Sequence, residues 1–259
     1  MTRWQLHTGE ALDWLLGQPD ESADALIVDP PYASGGRTAS MRKKRPLSKY
    51  LRASSKVYPD FAGDCRDQRS WVLWMTPWLQ RCWRVLRTGA PACVFADWRQ
   101  LPATTDAFQA AGFIWRGTAV WNKTGASRPV RGRFRNQCEY IVWGSKGGMC
   151  VMRQCHSETN VLPGMFTHRV EPRSKHHVTG KPVPLMCDLV RICEPGGLII
   201  DPMAGSGSTG VAALQLGYRF HGCELLEEYA DIARQRLAEA LVIDRRERKD
   251  KQLTLGRQS

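Results

Sequence analysis

Residues 198–210 read Leu-Ile-Ile-Asp-Pro-Met-Ala-Gly-Ser-Gly-Ser-Thr-Gly, an apolar run that comes after Pro195-Gly196-Gly197 and ends in an aspartate before a glycine-rich turn. Such a run is a buried strand, and the turn after it opens a helix. Gly205 and Gly207 allow a tight turn there and let the backbone approach a ligand closely, as at the first strand of a nucleotide-type cofactor site. No Gly-Lys-Ser/Thr occurs after it, which disfavours the phosphate cradle of an ATP site. The next apolar strand, Phe220 to Leu225, carries Glu224, about twenty residues on, where a carboxylate accepts hydrogen bonds from ribose hydroxyls. This pairing implies an adenosine-containing cofactor, with dinucleotide and S-adenosylmethionine both still open.

Working outward, the same strand-then-helix grammar recurs. Ala25-Leu26-Ile27-Val28 runs into Asp29, Ala92 to Ala96 comes after a Gly-Ala-Pro turn, and Cys138 to Gly144 is a further strand. Between them Trp71, Trp74, Met75, Trp78, Leu79, Cys82, Trp83 and Leu86 recur at helical spacing. These tryptophans are read as core rather than a base-stacking platform, and Pro77 predicts a kink or a late helix start. Lys181 to Cys193, with Pro182 in its first turn, and Glu227 to Val242 are further helices, while 245–259 is expected to fray. The alternation predicts an α/β, doubly wound sheet in a single domain over 1–259, with a long loop at 33–69.

The chain has 259 residues, enough to bury a core without disulfides, and the 9 Cys form no pair of Cys-x-x-Cys motifs. Neither a disulfide framework nor a zinc ribbon is indicated, and Cys150, Cys155 and His156 read as free thiols and a histidine rather than a metal site, so no metal is expected. No run approaches the roughly 18 apolar residues of a membrane span, and the amino-terminal residues lack a signal-peptide pattern, so the expectation is a soluble, cytoplasmic protein without a membrane partner.

With 37 Lys+Arg against 25 Asp+Glu the net charge is +12, and the excess is concentrated. Residues 34–59 contain Arg42, Lys43, Lys44 and Arg45 among eight basic residues and no acid; residues 107–138 contain Lys123, Arg128, Arg131 and Arg133, again with no acid. Ordinary solvated surface mixes both signs, so a nucleic acid is the expected partner.

The second motif is Asp29-Pro30-Pro31-Tyr32, at the end of an apolar strand. A strand ending in this tetrapeptide resembles the catalytic motif of the S-adenosylmethionine-dependent methyltransferases that act on exocyclic amines of nucleobases. Pro-Pro also ends strands by chance, but its coincidence with the glycine motif at Asp201, Pro202, Met203, Ala204, Gly205 and Gly207 and with Glu224 selects that family over a dinucleotide-dependent dehydrogenase. The resemblance implies a Rossmann-like doubly wound mixed sheet of the class I S-adenosylmethionine-dependent type with seven strands. It also implies that the Asp29 side chain and the Pro30 carbonyl accept the amine hydrogens while Tyr32 stacks on a base taken out of the duplex.

Other stretches fit the same family. His177 to Leu185 resembles the segment before the cofactor loop, which implies that Lys181 meets the methionine carboxylate. Trp121-Asn122-Lys123 and then Glu139-Tyr140-Ile141 resemble the strand-loop-strand beside the target base. Because the tetrapeptide precedes the cofactor loop, the order is that of the β class, with 148–175 as a short target-recognition segment containing Arg153, His156, Arg169 and Arg173. Each good bidentate base contact supplies about 1–3 kcal/mol of discrimination, so a segment this short predicts a short or degenerate site. Met203 stands where an aromatic residue is usual in the family.

Asp at the first motif position usually accompanies N6-adenine methylation in this family. Methylation of cytosine carbon 5 is excluded, since that chemistry needs a cysteine nucleophile and no Pro-Cys occurs. The resemblance thus implies transfer of methyl from S-adenosyl-L-methionine to adenine N6 in DNA. The alternatives are N4-cytosine in DNA, an RNA amine, or a nucleic-acid-binding protein with a decayed methyltransferase fold. Tyr50 or Leu51 is the expected wedge for the flipped base, and a homodimer is an open expectation because many β-class relatives are dimers.

Overall fold

In the computed structural model, residues 2–32, 66–126, 131–149, 161–170 and 180–255 are described. The first of these holds strand β1 (Trp4–Thr8), helix α1 (Ala11–Leu16) and β2 (Ala25–Val28). Next come α2 (Gln68–Val85), β3 (Pro91–Ala96), α3 (Leu101–Ala110), β4 (Ile114–Asn122), β5 (Cys138–Ser145) and β6 (Met165–Thr167). The remainder supplies α4 (Val183–Val190), β7 (Leu198–Asp201), α5 (Ser208–Gln215), β8 (Arg219–Glu224) and α6 (Glu227–Leu255).

The strands form one sheet of eight, in the order β1-β8-β7-β2-β3-β5-β4-β6. All neighbours are parallel except at β5, which is antiparallel to both β3 and β4. The helices fall into two contacting sets, α1–α2–α3 and α4–α5–α6. Between them β2, β3 and β7 are buried at every residue, which is why they read as unbroken apolar runs rather than alternating ones. The doubly wound α/β expectation holds. The eighth strand is β6, three residues long, built from the stretch assigned to target recognition and held by pairing Val120 with Met165 and Asn122 with Thr167.

Two helices extend beyond the bounds that a late start at Pro77 and a frayed tail would have given them. α2 begins at Gln68, capped by the Asp67 carboxylate, which accepts from the Arg69 and Ser70 amides at 2.9 Å, and it runs through Pro77 to Val85. Pro77 lies outside the buried face, which is made of Trp71, Met75, Trp78, Leu79, Cys82 and Val85, so packing of the apolar face outweighs the lost hydrogen bond. The tryptophans of this helix are core, as expected. α6 continues to Leu255, where fraying was expected beyond 245; Arg, Glu, Lys and Gln in that stretch are good helix formers. Among the described residues no helix is long and apolar enough to cross a membrane.

The topology positions the site. β2 has β3 on one side and β7 on the other, so successive connections diverge between β2 and β7, and in open α/β sheets ligands bind at the carboxyl ends of the strands at such a point. Asp29 comes directly after β2 and Asp201 ends β7.

Candidate active site

The glycine loop is shaped by four residues. Gly207 caps α5 with φ +79°, a left-handed conformation, and a Cβ there would lie 3.0 Å from the Ala233 Cβ, so a larger residue would be strained by its backbone and crowded by α6. Asp201 holds the turn from its start, accepting from the Met203 amide at 3.0 Å and the Thr209 hydroxyl at 2.6 Å. Glu224, at the end of β8, accepts from the Gly205 amide at 2.8 Å and the Leu226 amide at 3.0 Å, bracing the loop from the neighbouring strand. Arg236, which the sequence did not single out, reaches from α6 to the Ser206 carbonyl and hydroxyl and holds the turn from behind.

Burial pushes the Asp201 carboxyl up to about 7, with the Thr209 and Met203 hydrogen bonds opposing it and the nearby Asp29 and Glu224 charges adding to it. Burial raises Glu224 as well. Asp29 follows β2, Asp201 ends β7 and Glu224 ends β8, so the parallel order of these neighbouring strands brings the three to one edge of the sheet. Three carboxylates converging beside a glycine loop suit a ligand that carries hydroxyl donors and positive charge. A nucleoside bearing a sulfonium and an ammonium has both.

The tetrapeptide lies next to this cradle. Pro30 and Tyr32 are buried and Asp29 and Pro31 half-buried. Lys181 reaches in from the residue before the Pro182 cap of α4, with its ammonium 2.5 Å from Asp29 Oδ2, 3.1 Å from the Tyr32 hydroxyl and 3.3 Å from Glu139 Oε2. The Tyr32 hydroxyl donates to Glu139 Oε2 at 2.7 Å, and Lys123 Nζ stands 3.0 Å from Glu139 Oε1. The rings of Phe95, Tyr32 and Trp121 surround the Lys181 ammonium at 4.9, 5.3 and 6.0 Å.

Burial alone would raise Glu139, but Lys181 and Lys123, with the Tyr32 hydrogen bond, hold it at about 2. Burial alone would lower Lys181, but Asp29 and Glu139 outweigh it and raise its pKa, so the ammonium stays charged.

Two lysines singled out in the sequence have protein partners in this geometry. Lys181, assigned to the cofactor's carboxylate, directs its ammonium to Asp29, Tyr32 and Glu139. Lys123, assigned to the nucleic-acid surface, turns inward to Glu139, because Trp121 and Glu139 are cross-strand partners and the lysine lies just beyond that pair. Arg131 and Arg133 are exposed, as is Arg169. Arg42, Lys43, Lys44, Arg45, Arg128, Tyr50 and Leu51 lie outside the described residues, as do Cys150, Cys155 and His156, Arg153 and Arg173. Phe95, Glu139 and Arg236 join these contacts without a motif to announce them, although Glu139 stood in the strand resembling the family's target-base segment.

Comparison with known proteins agrees with the geometry. The family model described as DNA methylase, of the N6/N4 type, matches residues 23–235. The putative methylase YubD of Escherichia coli (strain K12) is 33% identical over 221 residues, covering 85% of this chain and 84% of its own length. The type II methyltransferase M.HinfI of Haemophilus influenzae is 25% identical over 248 residues, covering 89% and 67%. Among solved structures, the PvuII DNA methyltransferase (cytosine-N4-specific) shares the fold with a TM-score of 0.68 at 16% identity, covering 95% of this chain and 93% of that one. The β2 tetrapeptide, the β7 glycine loop and these relatives together place the chain in the N6/N4 family of S-adenosylmethionine-dependent DNA amino-methyltransferases.

Proposed function

We propose that this DNA methyltransferase modifies the N6 amine of adenine, with Asp29, Pro30, Pro31 and Tyr32 holding the base and the Asp201–Gly207 loop with Glu224 holding the cofactor. The observation that carries the reading is the position of Asp29: it comes directly after β2, beside β7, so an amine held on its carboxylate lies next to the glycine loop.

S-Adenosylmethionine supplies a sulfonium-activated methyl group: the amine nitrogen forms the new N–C bond, and the electron pair of the broken S–C bond stays on sulfur. Everything else falls to the chain. Asp29 accepts one amine hydrogen and the Pro30 carbonyl the other, aiming the nitrogen lone pair; the surplus proton on the methylated nitrogen leaves through the Asp29 carboxylate to water. Tyr32, fixed through its hydroxyl by Glu139 and Lys181, stacks on the extruded base. Lys181 orients the Asp29 carboxylate. Glu224 accepts from ribose hydroxyls while keeping the loop in shape.

The test is transfer of labelled methyl to unmethylated DNA, with RNA in parallel, and then digestion to nucleosides. N6-methyladenine in the DNA is the expected product. N4-methylcytosine would overturn the base assignment and keep the site, whereas label in RNA alone would overturn the polymer.

A further inference from the structure

The connection between β4 and β5 carries a side chain for which the catalytic cluster has no use. Phe134 is fully exposed, more so than any other large apolar side chain among the described residues. It stands among exposed Arg131, Arg133 and Arg135, inside the acid-free stretch 107–138. An exposed phenyl ring amid guanidinium groups suits a partner offering both apolar faces and closely spaced negative charge. Stacked bases between phosphates are such a partner.

Position decides which part of the DNA the ring meets. β4 ends at Asn122 and β5 begins at Cys138, paired with each other, on the sheet edge where β3 also ends and where Asp29 succeeds β2. The feet of the connection are braced. Lys123 N donates to Gln137 O at 2.8 Å, Asn122 Oδ1 accepts from the Thr124 amide at 2.8 Å and from the Gln137 side chain at 2.9 Å, and Arg135 donates to Gly125 O at 2.7 Å. One residue past β4, Lys123 meets Glu139, the second residue of β5, and Glu139 holds the Tyr32 hydroxyl. The projection bearing Phe134 is therefore rooted in the same contacts that hold the base-stacking tyrosine.

Other exposed aromatics fit less well. Trp98 lies just past β3 at this edge, but the Arg99 guanidinium lies over its ring at 4.7 Å. Trp115 is at the far end of β4, with its indole N–H donated to Gly117 O at 2.8 Å.

We propose that Phe134 is a DNA wedge: it enters the base stack where the target nucleotide has been withdrawn, with Arg131 and Arg133 on the flanking phosphates. The inference rests on the base-extruding reading of the active site and adds to it the residue that fills the gap.

Because the residue is exposed, Phe134→Ala is expected to fold and bind S-adenosylmethionine as the parent does. On duplex DNA its methyl transfer should fall by about tenfold or more, since the cost of unstacking is no longer offset; on heat-denatured DNA of the same sequence it should change by less than about twofold. Phe134→Leu keeps an apolar wedge and should stay within about threefold of the parent on both. Equal losses on the two substrates, or no loss on either, would overturn the proposal.

A second measurement does not depend on turnover. Nicked plasmid ligated in the presence of saturating protein and S-adenosylhomocysteine should show a shifted topoisomer distribution with the parent and none with Phe134→Ala at matched occupancy. A parent distribution identical to the protein-free control would overturn the wedge even if methyl transfer were normal. Absence of label in any DNA with the parent, beside a topoisomer shift that Phe134→Ala abolishes, would instead overturn the proposed reaction.

Discussion

Lys181 Nζ lies 2.5 Å from Asp29 Oδ2, joining the residue before the α4 cap to the residue after β2 across 152 positions of sequence. The lysine is almost fully buried and Asp29 partly so. Asp29 is thus a held acceptor whose orientation is set before substrate arrives. Asp29→Ala is expected to leave S-adenosylmethionine affinity within about threefold while methyl transfer falls about 100- to 1,000-fold, the usual consequence of removing one oriented polar group from a transition state. Calorimetry and single-turnover transfer measure the two separately, and parallel losses would show that Asp29 serves the cofactor instead.

Glu139 is expected to behave as the keystone of the cluster. Its carboxyl is held at about 2 against a tendency of burial to raise it, so the folded state binds its proton less well than the unfolded chain, whose value is near 4.5. The stability this contributes is complete above pH 4.5 and is lost as the pH falls toward 2. Glu139→Gln should therefore be less stable than the parent at about pH 7, with the gap narrowing in acid; urea titrations at about pH 7, 4 and 3 test it. A gap independent of pH would mean the lysines do not hold the carboxylate. The same variant should lose activity on DNA, because Tyr32 keeps its ring but loses a charged acceptor for its hydroxyl.

Glu224 braces the glycine loop, and the proposed function also gives it the ribose of the cofactor. Its two oxygens take the Gly205 and Leu226 amides, so Glu224→Ala strands two backbone donors at the loop. A loss of about 1–3 kcal/mol in stability is expected, together with weaker S-adenosylmethionine binding by about tenfold or more. Isothermal titration beside a urea melt separates the two effects. Unchanged affinity in the folded variant would remove Glu224 from the cofactor site.

How far the sequence was legible depends on the range of the interactions involved. β2, β3, β7 and β8 are short apolar runs bounded by Gly, Pro or an acid, and their punctuation is local, so the tetrapeptide, the glycine loop and Glu224 could be placed on strand ends in advance. Lys181 could not be matched to Asp29, because no local pattern records a contact 152 residues apart. Lys123 shows a different limit: within an acid-free stretch it resembles its basic neighbours, and only the register pairing Trp121 with Glu139 turns it inward. That register was in principle available from a β4–β5 hairpin. β6 had no signal of its own, since three residues become a strand only by adding to the edge that β4 presents.

Asp201 gives the sharpest dependence on pH. Burial lifts its carboxyl to about 7 in the folded protein, whereas the unfolded chain titrates near 3.8, so the native state retains a proton that the unfolded state has already lost. The sign is opposite to that of Glu139: this group's contribution to stability declines as the pH rises from 3.8 through about 7, then levels off. Asparagine removes the titration and keeps the contacts, since its carbonyl accepts from the Met203 amide and its amide donates to the Thr209 hydroxyl, which rotates to accept. Asp201→Asn should therefore melt higher than the parent at about pH 8, with the advantage shrinking steadily as the pH is lowered to about 5 and then about 4. A constant difference across that range would mean that Asp201 ionises at the ordinary carboxylate value and that the carboxylate edge holds its charge without cost.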